Sequence, residues 1–325
     1  MIGYLLRRLV YGVSVLLGVN FLTFVLFFAV NTPDDMARLN LGGRYVTSAA
    51  VADWKTAHGY DQPLFYNVAE KGTGKITKTL FWSKSVPLLT GDLGMTDAGR
   101  SINEDVRERA PASLALAVPT FVLGVAVMLV FSLLLVWVRR TGWETAGVVT
   151  SIGIMSVSSL FYIILGQWLF AKTLRWVPVS GFADGIGMVH FLLLPVAIAL
   201  FSRLGGDALL YRALFLEEIG KDYVRTARAK GAGELQVLFG HVLRNAMLPI
   251  LTSTVAAIPM LFMGSLIMEN FFGIPGLGAY TIDAINAQDF SVVRSMVFLG
   301  TAAYVAGLIL TDFAYAAADP RIRLQ

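Results

Sequence analysis

The sequence contains no cysteine and only three histidines among its 325 residues. Without cysteine the chain has no disulfide, no thiolate metal ligand and no thiol nucleophile, although this absence does not identify the cellular compartment. His58, His190 and His241 stand on separate segments. None lies three or four residues from another, the spacing that would bring two ligands to one face of a helix. We therefore predict no metal site, and no pattern identifies a catalytic residue.

Charged residues are also scarce. They make up 15% of the chain, compared with ~25% in an average soluble domain. Hydrophobic residues make up 56%, and the mean hydropathy is +0.67. The hydrophobic residues fall in runs of about twenty, the length that crosses ~30 Å of hydrocarbon. A soluble secreted enzyme, a disordered protein and a collagen-like chain are therefore excluded.

The hydrophobic runs predict an all-α polytopic membrane protein with six transmembrane helices. The predicted spans cover residues 9–30, 112–138, 146–170, 188–201, 248–268 and 292–317. The first span resembles a signal peptide because Arg7 and Arg8 precede it, but its apolar run exceeds the ~7–15 residues of a signal peptide. We expect this span to remain as an anchor helix.

Three regions follow from this pattern. Residues 1–30 form the first transmembrane helix. Residues 31–112 carry ten Lys or Arg and ten Asp or Glu, so we predict a polar segment outside the membrane between helices 1 and 2. Residues 113–325 form a five-helix core, which includes a cytoplasmic segment at 203–247.

Positive charge orients the spans. Thirteen Lys and Arg residues fall on one side of the membrane: Arg7, Arg8, Arg139, Arg140, seven between Arg203 and Arg244, Arg321 and Arg323. The short loops on the other side carry only Lys172, Arg175 and Arg294. Because positive residues concentrate in cytoplasmic loops, we expect both termini in the cytoplasm. We attribute the net charge of +4 to this bias and expect no nucleic-acid partner.

The segment 203–247 is too polar to be a span. Apolar residues at helical spacing predict an amphipathic helix, namely Leu216, Ile219, Tyr223 and Ala227. Gly231 and Gly233 predict a break, and a second helix is expected to begin near Glu234. Such a helix suits docking into a groove of a partner protein. The alternative is a helix that lies on anionic lipid, which composition alone favours.

Ionisable residues and prolines near the spans are candidates for the transport pathway. Glu269 either faces a pathway or bonds to the loop at 272–278. For Asp312 we favour a structural role, pairing with an arginine on the cytoplasmic side. Pro259 breaks a helix either at the pathway or for packing alone. Arg203 and Asp207 flank the predicted end of span four.

Motifs of enzyme chemistry are incomplete. Gly72-Thr73-Gly74-Lys75 resembles the end of a phosphate-binding loop, but the motif needs glycine at 69 and Ser or Thr at 76. Ala69 and Ile76 stand there. An intramembrane protease is disfavoured, because neither the H-E-x-x-H nor the G-x-S-x-G motif is present.

The run from Asp222 to Gly231, followed by His241, Arg244-Asn245-Ala246 and Pro249, closely resembles the cytoplasmic coupling motif of ABC-importer permeases. The variant is similar to that of the dipeptide/oligopeptide permease family, in which Arg225 and Thr226 are usual. Further stretches agree in order: Tyr4 to Arg8, Tyr60 to Leu64, Gly91 to Gly94, Val106 to Leu114, Glu269 with Phe272 and Pro275 to Gly278, and Asp319 to Ile322. Residues 67–90 depart from the family, since they are longer than its norm.

The resemblance implies a subunit of an importer in the bacterial inner membrane, with a periplasmic segment at 31–112. Its partners would be a second, different permease subunit, two cytoplasmic ATPase subunits that bind ATP and Mg, and a substrate-binding protein. This chain would need no cofactor. Residues 216–235 would carry the coupling helix. The implied contact residues are Glu217, Glu218, Asp222, Arg225, Thr226, Ala227, Arg228 and Gly231.

The cargo implied by the resemblance is peptides. Oligosaccharides, nickel complexes, opines and peptide-like antibiotics are alternatives, because members of the family also carry these. A remoter alternative is a channel or secondary transporter that works without ATP. Such a protein should show paired charges inside several spans or inverted hydropathy repeats, and neither is evident in the sequence.

Overall fold

A computed structural model describes residues 2–42, 46–183 and 185–318. The predicted C-terminal motif at 319–322, and Arg323, lie outside the described residues. Within the described part of the chain every regular element is a helix, and one isolated bridge pairs Met95 with Ser101. The prediction of an all-α membrane protein is confirmed.

The helices fall into an N-terminal group and a core group. The first group is α1 (Ile2–Val25, continued by a π-helical turn, Leu26–Val30), α2 (Pro33–Leu41), α3 (Ser48–His58), α4 (Gly74–Thr77), α5 (Leu80–Lys84) and α6 (Val86–Leu89). The core group begins with α7 (Ile102–Trp137), α8 (Gly142–Met155), α9 (Ser159–Gly166, continued by a π-helix, Gln167–Thr173) and α10 (Met188–Ile219). It ends with α11 (Asp222–Ala229), α12 (Glu234–Val237), α13 (Arg244–Ala257), α14 (Leu266–Phe272), α15 (Leu277–Ala287) and α16 (Phe290–Ala318).

The membrane spans agree in number with the prediction. Five helices are long and apolar enough to cross a membrane, and α8 with α9 makes the sixth if the bent pair is one span. The third span is therefore not one straight helix, because the chain turns by 90° between α8 and α9. Ser158 starts α9 by accepting a hydrogen bond from the backbone N–H of Leu160.

The fourth span continues far beyond its predicted end at residue 201. Helix α10 runs to Ile219 because buried residues keep recurring at helical spacing after the hydropathy falls. Ala208, Tyr211 and Phe215 are buried along this extension. Much of the predicted cytoplasmic segment is therefore a continuation of a transmembrane helix.

The second and fifth spans also differ from their predicted ends. Helix α7 begins at Ile102, well before residue 112, because Ser101 caps it and two acidic residues stand in its first turn. The fifth span is a continuous run from Glu234 to Met263. It stops at Gly264, whose φ is +69°. Residues 266–272 form the separate helix α14 instead of the end of this span.

The extramembrane segment packs on the first helix. Phe24 and Phe28 of α1 share a buried cluster with Tyr60 and Leu80. The side-chain amide of Asn20 donates to the backbone oxygen of Ser85 at 2.8 Å. This segment is therefore folded against the C-terminal half of α1 and is not a loose loop.

Candidate functional site

Helix α11 shares a buried cluster with the C-terminal ends of α7 and α10. Its residues Val224 and Ala227 are buried in one cluster with side chains of α7, α10, α12 and the turn that follows α12. The cluster members outside α11 include Val136, Phe215, Val237, Leu238 and Val242. Because protein interiors are close-packed, the position of α11 depends on the packing of these neighbouring elements.

Tight turns separate α11 from its neighbours. Gly220 ends α10 and Lys221 is extended, so Leu216 and Ile219 belong to α10 and not to the helix that contains Tyr223 and Ala227. The prediction of one helix through these four residues is therefore wrong at Gly220. On the other side Gly231 has φ +84° and donates its N–H to Arg228 at 2.9 Å. Glycine adopts this left-handed conformation without the strain of a side chain.

Charged side chains hold α11 in place. Glu234 Oε1 accepts from Arg139 Nη1 at 2.6 Å and from Arg228 Nη2 at 3.1 Å. Glu218 at the end of α10 accepts from the Lys221 ammonium and from the Tyr223 hydroxyl. Glu218 and Arg228, together with buried Ala227, thus fix the helix to its own subunit.

Other predicted contact residues face away from the core. The side chains of Asp222, Arg225 and Glu217 are 95%, 75% and 70% exposed. Thr226 is also exposed, and its hydroxyl donates to the backbone oxygen of Asp222 at 3.0 Å. The predicted set therefore divides into residues that fasten α11 and residues that are open to a partner.

A cavity of about 550 Å³ lies between α7, α9, α10 and the region from Ala257 to Met268. Its wall is mostly apolar, with hydroxyl groups from Ser113, Thr120, Ser159, Ser202 and Ser265. Arg203 lines this cavity as well as a smaller one beside it, which Asp207 also lines. The hydroxyl residues were not predicted, because nothing in their local sequence distinguishes them from other serines and threonines.

Glu269 does not line this cavity. It is fully buried, and its Oε1 accepts from the backbone N–H of Ser265 at 3.0 Å. Its Oε2 accepts from the N–H groups of Gly278 at 2.7 Å and Ala279 at 3.1 Å. Ser113 of α7 joins the same region by accepting from the N–H of Leu277 at 2.7 Å. The carboxylate of Glu269 therefore binds backbone N–H groups at the start of α14 and at the end of the loop at 272–278.

The two other pathway candidates pack inside the helix bundle. Arg8 Nε lies 2.9 Å from Asp312 Oδ2, which joins α1 to α16 at the end where α1 begins. Pro259 is buried in the 3-10 turn after α13 and packs closely against α16 at Gly307. Both residues therefore connect core helices to one another.

A second group of charges lies in the extramembrane part. Asp97 donates its N–H to Asp289 Oδ2 at 2.9 Å. Burial, together with the charge of Asp289, raises the pKa of Asp97 to about 6. Burial also lowers the pKa of Lys84, whose ammonium donates to the backbone oxygen of His58 at 2.9 Å and lies over the Tyr60 ring. No set of three or more potential metal ligands comes together among the described residues.

Known proteins resemble this chain over its whole length. The family described as binding-protein-dependent transport system inner membrane component matches residues 109–324, and a family of N-terminal regions of such membrane components matches residues 1–84. A putative peptide transport system permease protein of Brucella abortus is 31% identical over 99% of both chains. The oligopeptide transport system permease protein of Bacillus subtilis is 27% identical over 99% of both chains. The glutathione transport system permease protein of Salmonella choleraesuis is 30% identical over the full length of both.

The family match covers well over half of the chain and includes the coupling segment, the cavity and the Glu269 loop. The membrane spans and the cavity agree with a protein that provides a path across the membrane. The chain therefore belongs to the family of binding-protein-dependent transport system inner membrane components, as a multi-pass permease subunit of an ABC transporter.

Proposed function

We propose that this chain is one of two different permease subunits of a peptide importer that is driven by two cytoplasmic ATPase subunits. The observation that supports the proposal most strongly is the construction of α11. Its residues Val224 and Ala227 are buried in one cluster with side chains of the core helices, whereas the side chains of Asp222 and Arg225 are exposed. A short helix of this kind is suited to resting in a groove of a partner.

The proposed mechanism is alternating access. ATP binding closes the ATPase pair and pulls α11, and the closely packed cluster around Val224 passes this motion to α7 and α10. Those two helices line the cavity of about 550 Å³, so their displacement opens it to one side of the membrane or the other. This chain contributes half of the path, and the second permease subunit contributes the other half.

The arrangement across the membrane follows from the same proposal. Helix α11 must lie in the cytoplasm to reach the ATPases, so both termini are proposed to lie there and the segment at 31–112 to lie on the outer side. A substrate-binding protein delivers cargo to that outer side. Peptides are the proposed cargo because relatives of full length carry names of peptide, oligopeptide and glutathione transport systems.

The test is uptake of labelled trialanine into proteoliposomes that contain the chain with its companion permease and ATPase subunits, together with the binding protein. We expect uptake to require ATP and all of these subunits. Arg225→Glu should lower uptake by about tenfold, since it reverses an exposed charge at the partner contact. Arg107→Glu is the matched control, because it makes the same change at an exposed helix position on the outer side.

Two outcomes would contradict the proposal in different ways. If uptake proceeds without the ATPases, or if Arg225→Glu behaves like Arg107→Glu, the coupling role fails. If the complete assembly imports a nickel complex or an oligosaccharide but no peptide, the coupling role stands and the proposed cargo is wrong.

A further inference from the structure

The cavity between α7, α9 and α10 carries one ion pair at its edge in otherwise neutral surroundings. Among the described residues that line it, Arg203 is the single charged side chain. Asp207 joins it in the smaller adjoining cavity, which shares Thr120, Phe121 and Ala257 with the larger one. Arg203 lies halfway along α10, within a helix that qualifies as a membrane span. Charged residues at such depth are costly and face a polar path or a partner, so they indicate function.

The ion pair is loosely built. Arg203 donates from Nε at 3.1 Å and from Nη2 at 3.0 Å, and both bonds end on Oδ2 of Asp207. A guanidinium can hold both oxygens of a carboxylate at once, which this geometry does not use. The side chains remain 61% and 39% exposed in the subunit. Arg203 is therefore accessible from the larger cavity and Asp207 from the smaller one.

The hydroxyl groups near the pair already have partners in the backbone. Thr120 donates to the oxygen of Leu116 at 2.7 Å, and Ser202 donates to that of Ala199 at 3.1 Å. The remainder of the wall is largely aliphatic and aromatic, including Ile163, Met260 and Phe121. Recognition of a charged group in this cavity therefore depends on Arg203 and Asp207.

We propose that Arg203 and Asp207 form a transit site for peptides, in which Arg203 binds the terminal carboxylate and Asp207 takes the terminal ammonium. This inference rests on the proposed peptide cargo. The two residues are one helical turn apart, about 6 Å along the axis. A peptide extends by ~3.3–3.6 Å per residue, so the termini of a short peptide can reach both side chains.

Exchange of partners explains why such a site would not trap its cargo. In the empty cavity Asp207 neutralises Arg203, so neither charge is left unpaired. When a peptide enters, its carboxylate replaces Asp207 at Arg203 and its ammonium replaces Arg203 at Asp207. One ion pair becomes two without any change in net charge. Because the original pair re-forms when the peptide leaves, binding is weak enough to allow release.

The direct test is photo-crosslinking in the solubilised complex without the binding protein. Benzoylphenylalanine replaces Phe121, which lines both cavities, and labelled trialanine or trialanine amide is added. We expect trialanine to crosslink about fivefold more than its amide, the ratio that an exposed charge pair supports. Arg203→Gln should abolish this difference, and Arg203→Lys should retain most of it.

Ser202→Ala serves as the matched control, because it alters a neighbouring cavity residue without changing charge. Asp207→Asn should lower the yield of trialanine relative to acetyl-trialanine, which lacks the ammonium. Equal yields of trialanine and its amide in the unsubstituted protein, or an unchanged ratio in Arg203→Gln, would overturn the transit site. Failure of the unsubstituted assembly to import trialanine would instead refute the proposed cargo, so the two failures are distinguishable.

Discussion

Glu269→Gln gives a sharp test of how the core is assembled. The substitution keeps the size of the side chain but replaces one carboxylate oxygen with an amide NH2 group. All three bonds of Glu269 come from backbone N–H donors, on Ser265, Gly278 and Ala279. An amide can accept only through its oxygen. In either orientation its NH2 group therefore faces at least one buried N–H group.

The expected loss of stability follows from those contacts. The better orientation keeps the amide oxygen at the position of Oε2, which accepts two hydrogen bonds, and places the NH2 group against the backbone N–H of Ser265. A hydrogen bond to a charged group contributes ~1.5–3 kcal/mol, and a buried polar group without a partner costs ~1–3 kcal/mol. The acceptor of the two retained bonds is also neutral instead of charged. We therefore expect the free energy of unfolding to fall by about 2–4 kcal/mol.

The assay is reversible unfolding in mixed micelles with increasing SDS, followed by tryptophan fluorescence. Glu217→Gln is the control, because that side chain is 70% exposed and its ion pair to Lys221 is 3.8 Å long. This control should change stability by no more than about 0.5 kcal/mol. If Glu269→Gln is as stable as Glu217→Gln, the carboxylate does not hold the loop and the structural role is refuted.

Three further predictions concern other parts of the chain. Gly278→Ala should lower the free energy of unfolding by about 1–3 kcal/mol in the same assay, because the new methyl group would lie 2.7 Å from the backbone carbonyl carbon of Ser265. Gly240→Ala is the control. No atom lies within 4 Å of its new methyl group, so stability should be unchanged or slightly higher. Glu234→Ala removes the acceptor shared by two arginines; uptake should fall while ATP hydrolysis continues, and equal loss of both activities would contradict a coupling role. Asp97 has a pKa of about 6 in the folded protein, above its ordinary 3.8, so the folded state binds this proton more tightly than the unfolded state. The stability gained in this way is fully present below pH ~4 and is lost as the pH rises through 6. Asp97→Asn should therefore raise the melting temperature most above pH 6, and a difference independent of pH from 4 to 8 would contradict this.

Local features of the sequence determined the membrane architecture. The hydrophobic runs were sufficient to predict six spans, because crossing ~30 Å of hydrocarbon requires about twenty apolar residues wherever they occur. The start of a helix at Glu234 was likewise predictable from Gly231 and Gly233, which interrupt the preceding pattern. These properties depend on residues within a few turns of one another, so a single sequence contains the information.

Helix lengths and side-chain partners were decided by the tertiary structure. Helix α10 continues to Ile219 because Phe215 and its neighbours find buried surface on α7 and α11, which hydropathy alone does not record. Ser113 accepts from the N–H of Leu277, 164 residues away, and both carboxylate oxygens of Glu269 accept from backbone N–H groups. The cavity beside Arg203 exists only because α7, α9 and α10 converge there. Such contacts join segments that are distant along the chain, and local propensity carries no information about which distant groups will meet.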